Sequence, residues 1–311
     1  MNAPRPDESA SGGEGSVEGN GDDPSPFAFF RLGQDGSYVP MRYAKSAWSD
    51  GLVNGPAIVA AAARSLEIEY GHEDFQPSRL TVDLFSQVKF EPLQVRTEEV
   101  RSGNRIRVAD AHLSQGGKTV ARATLVQLRR GEQPPGDVWR SGRTLTPPDG
   151  PGGTVLSAGS RAWFGSDASD EPWSRSMGAH QNAGRKRFWL HPLDVVAGQE
   201  ASPFQRAVTL GESTSLMAHW GTEGIGFINA DLTVALARLP RSGDIGIEAE
   251  QHISEDGVAV GTAALFDHDG MFGSGTVVAV SNAGRQIDFA TRGLVKDKPA
   301  ADPGPEKGTR V

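Results

Sequence analysis

Hydrophobic and polar residues alternate along two separate stretches of the chain, in the period-two pattern of antiparallel strands. Turns containing glycine, such as those at Gly103, Gly116, Gly257 and Gly270, divide each stretch into runs. The runs cover 80–99, 105–109 and 119–128 in the first stretch, and 232–251, 258–265 and 276–280 in the second. The two sets are offset by about 152 residues, and their turns keep the same spacing to within two residues. We therefore predict an internal repeat.

One helix is predicted ahead of each set of strands. In the first copy, the tripeptide 54–56 (Asn-Gly-Pro) opens an almost wholly apolar segment at 57–66, with the proline at the first helical position and the glycine as cap. In the second copy, the sequence Ser-Pro-Phe-Gln at 202–205 is a capping box. It begins a helix that runs to about residue 220, and Gly221 ends this helix.

A short strand precedes each predicted helix, at 38–43 and at 186–190. Each copy is thus a strand, a buried helix and at least three long antiparallel strands. An apolar helix wrapped by a curved antiparallel sheet is the hotdog arrangement. The predicted fold class is α+β, a double hotdog in which two long antiparallel sheets, each wrapped around one central helix, join edge to edge.

Segments poor in large apolar residues separate the two copies and flank them. Chains of such composition bury too little surface to offset the entropy of ordering, and a stretch rich in Pro and Gly is typical of a linker. The predicted organisation is a disordered acidic tail at 1–26, an N-terminal hotdog domain at 27–130, a linker at 131–160, a C-terminal hotdog domain at 161–290 and a disordered tail at 291–311.

Composition excludes several classes of function. The 311 residues include no cysteine, so disulfides, thiolate nucleophiles and cysteine-ligated metals are absent. The seven histidines show no metal-binding spacing, and we expect no metal and no cofactor. A net charge of −8 disfavours nucleic-acid binding. No apolar run could span a membrane and no signal peptide is apparent, so we expect a cytoplasmic protein.

The repeat resembles the double-hotdog acyl-CoA thioesterases of the type II bacterial class. The segments WSDGLVNGPAIVAAAARSLE, LTVDLFSQVKFEPLQVRTEEV and KTVARATLVQLRR carry the resemblance in the first copy. FINADLTVALARLP, DGVAVGTAALFDHDG and SGTVVAV carry it in the second, and the resemblance covers roughly residues 27–285. It implies hydrolysis of fatty acyl-CoA to free acid and CoA, with water activated by a general base. It also implies that a backbone N–H at a helix end binds the developing oxyanion.

In this family a helical carboxylate, a hydroxyl at a strand start and a glutamine on the last strand hold the water. The carboxylate position falls on or beside Gly211, with Glu212 as the nearest acid. The hydroxyl position falls on Asn229 and the glutamine position near Val278, so none of the three usual residues is present. The polar segment 212–215 is unusual in a buried helix.

Glu212, Asn229 and Asp231 are the predicted catalytic residues, with Asp231 expected on the same strand face as Asn229. Two interpretations stay open for Glu212, a general base or a solvated helix acid. Asn229 and Asp231 are alternatively turn residues, and Asp50 and Asn54 alternatively satisfy turn N–H groups. The predicted substrate-binding residues are Asn54, Gly55, Gly211, Ser213, Thr214 and Val278.

Four functions remain possible from the sequence. They are an acyl-CoA thioesterase, a catalytically degenerate acyl-CoA or lipid-binding protein, a hotdog enzyme of another class such as a hydratase, and a structural protein. The tryptophans and basic residues of 161–189 either bind coenzyme A or form a loop packed over the sheet. The expected partners are the acyl-CoA substrate and, through the hotdog sheets, further copies of the chain.

Overall fold

A computed structural model describes residues 27–49, 51–150 and 162–290 of the chain. The predicted tails at 1–26 and 291–311 lie outside the described residues, as do Asp50, Arg161 and the end of the predicted linker.

The described residues form sixteen strands and three α-helices. The helices are α1 (Gly55–Tyr70), α2 (Pro203–Glu212) and α3 (Thr214–His219). The strands of the first half are β1 (Ala28–Leu32), β2 (Tyr38–Pro40), β3 (Phe75–Leu84), β4 (Gln94–Ser102), β5 (Ile106–Gln115) and β6 (Lys118–Arg129). Those of the second half are β7 (Trp163–Ser166), β8 (Lys186–Leu190), β9 (Asp194–Val196), β10 (Trp220–Gly221), β11 (Gly224–Ile225), β12 (Phe227–Asn229), β13 (Asp231–Leu236), β14 (Ile245–Glu255), β15 (Val258–Asp267) and β16 (Gly270–Ser281).

One antiparallel sheet runs through both copies of the repeat. Its strand order is β4-β5-β6-β3-β13-β16-β15-β14-β8-β7, with β12 beside β16. The two predicted sheets are thus continuous, joined edge to edge by the β3–β13 pair. Thr81 and Thr233, which are 152 residues apart, lie opposite each other there with their Oγ1 atoms 3.1 Å apart. The two residues of this pair are equivalent in the two copies of the repeat. A local two-fold axis that relates the two copies therefore passes between β3 and β13, at the centre of the sheet.

The helices cover one face of this sheet. Helix α1 packs against β3–β6, whereas α2 and α3 pack against β13–β16, and α1 also packs on α2. Every residue of α1 from Ala57 to Ala63 is buried, as its apolar sequence predicts. Residues Leu232 and Val234 of β13 and Leu80 and Val82 of β3 also face this core.

Both long helices begin where the sequence predicts, but the hydrogen bonds that cap each of them differ from the prediction in one respect. Asn54, not Gly55, is the cap of α1, and its Oδ1 accepts the Ala57 N–H at 2.9 Å. Ser202 caps α2 through the Gln205 N–H at 3.1 Å, but the Gln205 side chain bonds Glu67 instead of completing the capping box. The second helix is also not continuous to residue 220, because it is interrupted at the junction of α2 and α3.

The strand predictions differ from the structure in four places. The run 80–99 contains two strands, β3 and β4, separated by a loop at 85–93. The run 232–251 likewise contains parts of β13 and β14, separated by residues 237–244. The strand predicted at 38–43 ends at Pro40 and is followed by a 3-10 turn. The sequence analysis missed β1, which pairs with β2 and, in parallel, with β9. This small sheet ties the start of the first half to the second half.

Within the described ranges, no helix is long and apolar enough to cross a membrane.

Candidate functional site

Glu212 is the last residue of α2 and lies at the contact between the two helices. Only 8% of the residue is exposed, so it is not a solvated helix acid. Its carboxylate lies against Gly55, the first residue of α1, so closely that a Cβ atom on Gly55 would collide with Glu212 Oε1. Glycine at this position therefore allows the acid of one half to reach the helix start of the other.

Burial controls the protonation of Glu212. Loss of hydration raises the pKa of this carboxyl to about 8, and a hydrogen bond from the Asn229 side chain opposes part of that rise. A carboxyl with a pKa in this range exchanges its proton near neutral pH, which is the property that a general base or acid needs.

Asn229 reaches Glu212 from the end of β12. Its side chain is half-buried and also lies 3.4 Å from the Asp231 carbonyl oxygen, to which Nδ2 donates. The structure thus brings together Asn229, at the predicted hydroxyl position, and Glu212, the acid nearest to the carboxylate position predicted on or beside Gly211. An amide in this position orients a neighbouring group but does not accept its proton.

The start of α1 leaves one backbone donor without a partner. Asn54 accepts the Ala57 N–H, the Ile58 N–H donates to the Asn54 carbonyl, and Pro56 has no N–H. Within the described residues, the Gly55 N–H has no acceptor. It lies at the positive end of the helix and beside the Glu212 carboxylate, where a developing negative oxygen is stabilised.

Asn54 itself has a structural role. While its Oδ1 caps α1, its Nδ2 donates to the carbonyl oxygens of Tyr43 at 2.8 Å and Lys45 at 3.2 Å. Both polar atoms of the side chain are therefore occupied, which favours the interpretation as a helix cap over substrate binding.

The prediction that Asp231 shares a strand face with Asn229 is wrong. Asn229 pairs with Ala279 and Thr233 with Thr276, so the register between the two strands and β16 shifts by one residue. Such a bulge reverses the alternation of side chains. Leu232 is wholly buried, and Asp231 therefore faces the opposite, outer side of the sheet.

Asp231 and Val278 meet in this bulge. Asp231 Oδ1 accepts the Val278 N–H at 2.7 Å, which gives a partner to a donor that the shifted ladder leaves unpaired. The Val278 side chain is 40% exposed on the outer face, whereas its neighbours Val277 and Ala279 point inward. Val278 therefore does not line the site. The residues of β16 that face the helices next to it, Val277 and Ala279, are aliphatic and cannot take the role of the family's glutamine.

Three other predicted residues form the helix break next to Glu212. A Cβ on Gly211 would collide with Val234, so this glycine allows α2 to touch β13. Thr214 Oγ1 donates to the Gly211 carbonyl oxygen at 2.6 Å and packs directly on Gly275. The Ser213 N–H donates to Leu210, and Ser213 is buried beside Glu212. Gly211 and Thr214 therefore position the end of α2 and do not offer free groups to a substrate.

A cavity of about 560 Å³, which the sequence analysis missed, lies at the end of α3. Phe227, two residues before Asn229 in β12, lines it, and so do His219, Trp220 and His252. The Nδ1 atoms of the two histidines are 2.9 Å apart. Burial, together with the neighbouring His252, lowers the pKa of His219 to about 4, so the His219 ring is uncharged at neutral pH.

The basic and aromatic residues between 162 and 189 form a packed layer. The Arg175 guanidinium stacks 3.7 Å from the centre of the Trp163 ring, and Arg187 lies 5.5 Å from that of Trp173. Trp163 and Trp173 pack against the buried Trp189. These contacts favour a packed loop for the tryptophans, Arg175 and Arg187, whereas Arg185 and Lys186 line the cavity at the end of α3.

One group of side chains in the described part of the chain has metal-ligand composition. Glu98, Asp110 and His112 lie on β4 and β5, with ligand atoms within 4.8 Å of one another. Thr124 donates to Asp110 at 2.6 Å, and His112 lies 3.4 Å from Glu98. Cross-strand hydrogen bonds and an ion pair account for this arrangement without an ion.

In the first half, the position that corresponds to Glu212 is occupied by a base and not by an acid. Glu212 is the tenth residue of α2, and the tenth residue of α1 is Arg64. The first residue of α2 is Pro203, which has no N–H, in place of Gly55. The Ser202 cap instead donates to Glu67 Oε2 at 2.6 Å. The two related helix contacts therefore differ in how their acid is used, because Glu67 accepts hydrogen bonds from the Ser202 and Gln205 side chains whereas Glu212 is bonded to Asn229.

Two family models match the sequence. The model for the N-terminal domain of acyl-CoA thioesterases matches residues 44–128, and the model for the C-terminal domain matches residues 142–280. The chain belongs to the acyl-CoA thioesterase family. Among curated proteins, none is similar enough in sequence to match.

Solved structures similar to this acyl-CoA thioesterase family member show the hotdog fold. A conserved protein of unknown function with a hot dog fold from Alicyclobacillus acidocaldarius has a TM-score of 0.58 and 14% identity, covering 80% of this chain and 92% of its own. Acyl-CoA thioesterase II TesB2 from Mycobacterium marinum has a TM-score of 0.53 and 11% identity, covering 82% and 95%. A tesB protein from Mycobacterium avium subs paratuberculosis has a TM-score of 0.51 and 12% identity, covering 74% and 88%.

Proposed function

We propose that this protein hydrolyses fatty acyl-CoA to free acid and CoA, with Glu212 as the general base. The observation that carries the proposal is the buried Glu212 carboxyl, bonded to Asn229 and held against Gly55 at the start of α1. Membership of the acyl-CoA thioesterase family supports the substrate class.

In the proposed reaction, ionised Glu212 takes a proton from a water molecule that the Asn229 amide helps to orient. The water oxygen attacks the thioester carbonyl carbon, and the carbonyl oxygen becomes negative. The free Gly55 N–H, supported by the dipole of α1, stabilises that oxygen. The C–S bond then breaks, and Glu212 returns the proton to the leaving thiolate. Atoms and charge balance without a metal or cofactor.

The cavity beside β12 supplies room for the remainder of the substrate. It lies next to Asn229 along the strand; Phe227 and Trp220 form an aromatic part of its wall, and Arg185, Lys186, Glu223 and Glu250 form a charged part. A wall that is partly aromatic and partly polar suits a chain that itself carries polar groups. We assign this cavity to part of the acyl-CoA chain that extends from the thioester.

We also propose a double hotdog with the domain boundaries expected from the sequence, 27–130 and 161–290 joined by a linker at 131–160. The pairing of β3 with β13, and the separate packing of α1 on β3–β6 and of α2 and α3 on β13–β16, support this arrangement.

The test is release of free CoA from a panel of short- to long-chain acyl-CoA substrates. The wild-type protein is expected to release CoA, and Glu212→Gln to lose activity by about 100-fold or more, because removal of a general base has effects of this order. Glu67→Gln is the matched control, since Glu67 lies at the other helix contact, where it accepts the hydroxyl of Ser202, the cap of α2.

Wild-type turnover that Glu212→Gln leaves unchanged would exclude Glu212 as the base. If the wild type releases no CoA but acyl-CoA raises its melting temperature, the protein is instead a catalytically degenerate acyl-CoA-binding member.

A further inference from the structure

A second cavity, of about 180 Å³, lies at the carboxyl end of α1, and we call it the first-half cavity. Its wall consists of Glu69, Tyr70 and Gly71 at the helix end, Glu99 on β4, residues 107–109 on β5 and Gln127 on β6. Helix α1 rises by about 22 Å between Gly55 and this end. The first-half cavity is therefore separate from the Glu212 site.

The first-half cavity is the repeat counterpart of the cavity at the end of α3. Residues 69–71 and 99 line the first, and residues 221–223 and 251, at the offset of 152, line the second. The two halves differ in their strands, because Arg107 and Gln127 correspond to the buried alanines 259 and 279. Since alanine fills both positions in the second half, packing of the fold does not require polar side chains there.

Gln127 has a buried acceptor that no group of the described chain uses. Only 1% of the residue is exposed, and its Nε2 donates to the Tyr70 carbonyl oxygen at 2.9 Å. Its Oε1 is buried and has no hydrogen-bond partner among the described residues. A buried acceptor without a donor is unfavourable, and few remain in native structures. Gln127 therefore offers Oε1 to a donor in the cavity.

Arg107 supplies a donor of the same kind directly opposite Gln127, across β5 and β6. Its guanidinium carbon lies 4.3 Å from the centre of the Phe75 ring, and this contact holds the group in place. The Nε atom is buried and, within the described ranges, bonds to no acceptor. Because Nε carries a hydrogen on a cationic group, a carboxylate is the partner that it prefers.

The other charges at the first-half cavity are negative. Glu69 and Glu99 line it and are exposed to solvent. Helix α1 also ends here, and the carboxyl end of a helix carries a partial negative charge. Its last turn contains no basic residue that would offset this charge. A cationic N–H donor is therefore stabilised beside Gln127.

We infer that the first-half cavity binds a small zwitterion of the α-amino acid type. The carboxylate of the ligand accepts the Arg107 Nε hydrogen, and its ammonium group donates to Gln127 Oε1, so both buried atoms gain a partner. A cavity of about 180 Å³ holds about six water-sized groups, which corresponds to a ligand of about five to nine non-hydrogen atoms. Acyl-CoA is far larger, so this ligand is not the substrate of the Glu212 site.

The test is titration calorimetry of the full chain with small α-amino acids, from glycine to leucine. At least one of them is expected to bind with a stoichiometry of one per chain. Its matching amine and carboxylate, such as ethylamine and propionate for alanine, should each bind at least about tenfold more weakly. Each of these two probes leaves one of the two buried atoms without a partner.

Two variants test the residues. Arg107→Ala and Gln127→Ala introduce the residues found at the equivalent positions of the second half, and each should weaken binding by about tenfold or more. Arg105→Ala is the matched control, since Arg105 is exposed beside β5 and does not line the cavity. If the two variants fold poorly, the comparison of the three kinds of ligand on the wild type still decides.

Three results would overturn the inference. One is that no amino acid of the series binds. Another is that the amine or the carboxylate binds as tightly as the amino acid. The last is that Arg107→Ala weakens binding no more than Arg105→Ala.

Discussion

The buried carboxyl of Glu212 determines how the site should respond to pH. Burial raises its pKa to about 8, and the proposed base accepts a proton only when it is ionised. We therefore expect kcat/KM to rise about tenfold per pH unit below pH 8 and to level off above it. A pH–rate profile for one acyl-CoA substrate measures this. A profile that is flat from pH 6 to 9 would be inconsistent with Glu212 as the base.

The close contact between Gly55 and the Glu212 carboxylate leads to a second prediction. Gly55→Ala places a methyl group where the Glu212 carboxylate lies, so the carboxylate must move. A displacement of about 1 Å is enough to reduce kcat by roughly 100-fold. Gly51→Ala is the control, because a methyl group there meets nothing closer than Ser49 Oγ at 3.9 Å. Equal rates for the two variants would show that the close contact is not needed for turnover.

The sequence predicted the identity of these residues better than their roles. Glu212 and Asn229 could be selected because they lie at or beside positions implied by the family resemblance, and the polar segment 212–215 in a buried helix supported Glu212. The orientation of Glu212 could not be predicted, since one residue along a helix rotates a side chain by about 100°. The same limit explains Gly211, which packs against Val234 and not in the site.

At the scale of elements, the bulge between β12 and β13 gives Asp231 a structural role instead of the catalytic role expected from the sequence. Asp231→Ala removes the acceptor of the Val278 N–H, and we expect a loss of about 0.5–1.5 kcal/mol in stability. Asp231→Asn keeps an oxygen acceptor and should lose less. Both variants should retain the turnover of the wild type per folded chain, because Asp231 faces away from Glu212. Chemical denaturation and CoA release measure the two effects; a large fall in turnover with unchanged stability would return Asp231 to the site.

The end of α3 allows a test of the cavity. Gly221 lines it, and a Cβ there meets no atom within 4 Å. Gly221→Leu should therefore fill part of the cavity without strain and raise KM about tenfold for substrates that occupy it, with little change in melting temperature. Gly131→Leu, at a glycine with equally open surroundings but outside the cavity, is the control. Identical KM values for both variants would exclude the cavity from substrate binding.

Alternation and turn residues predicted β15 and the strand at 186–190 closely, whereas β16 begins six residues before the run predicted at 276–280. The bulge and the helix break at Ser213 could not be predicted in the same way. Each depends on contacts between distant segments, such as Thr214 on Gly275 and Asp231 on Val278. At the site, the conformation of the bulge and of the helix break therefore depends on tertiary packing and not on local sequence.

For the whole molecule, the two helix contacts predict the number of sites. At the first contact Glu212 is bonded to Asn229, whereas at the related contact Arg64 takes the position of Glu212 and the acid Glu67 is engaged by Ser202 and Gln205. A non-hydrolysable acyl-CoA thioether should therefore bind with a stoichiometry of one per chain, measured by titration calorimetry. Two equal sites per chain would contradict the assignment. Arg64 should not be a substitute base, because it donates to Tyr38 and Gln199 and stays charged.

The repeat itself was visible in the sequence because both copies kept their turns and strand lengths. The small sheet formed by β1, β2 and β9 was not, since its strands are three to five residues long and one pair is parallel between the halves. Such short segments carry too little periodicity for prediction.

Glu212 comes from one copy of the repeat and Gly55 from the other, and their contact has an evolutionary consequence. If two identical single-repeat chains once formed this contact, each had to supply both the acid and the glycine, and every substitution changed two sites at once. After fusion, each copy needs to supply only one of the two. The other helix contact is then free to differ, and it has Arg64 and Pro203 at the corresponding positions. A duplicated gene of this kind can therefore acquire structural ion pairs and caps in one half without loss of the chemistry that both halves share.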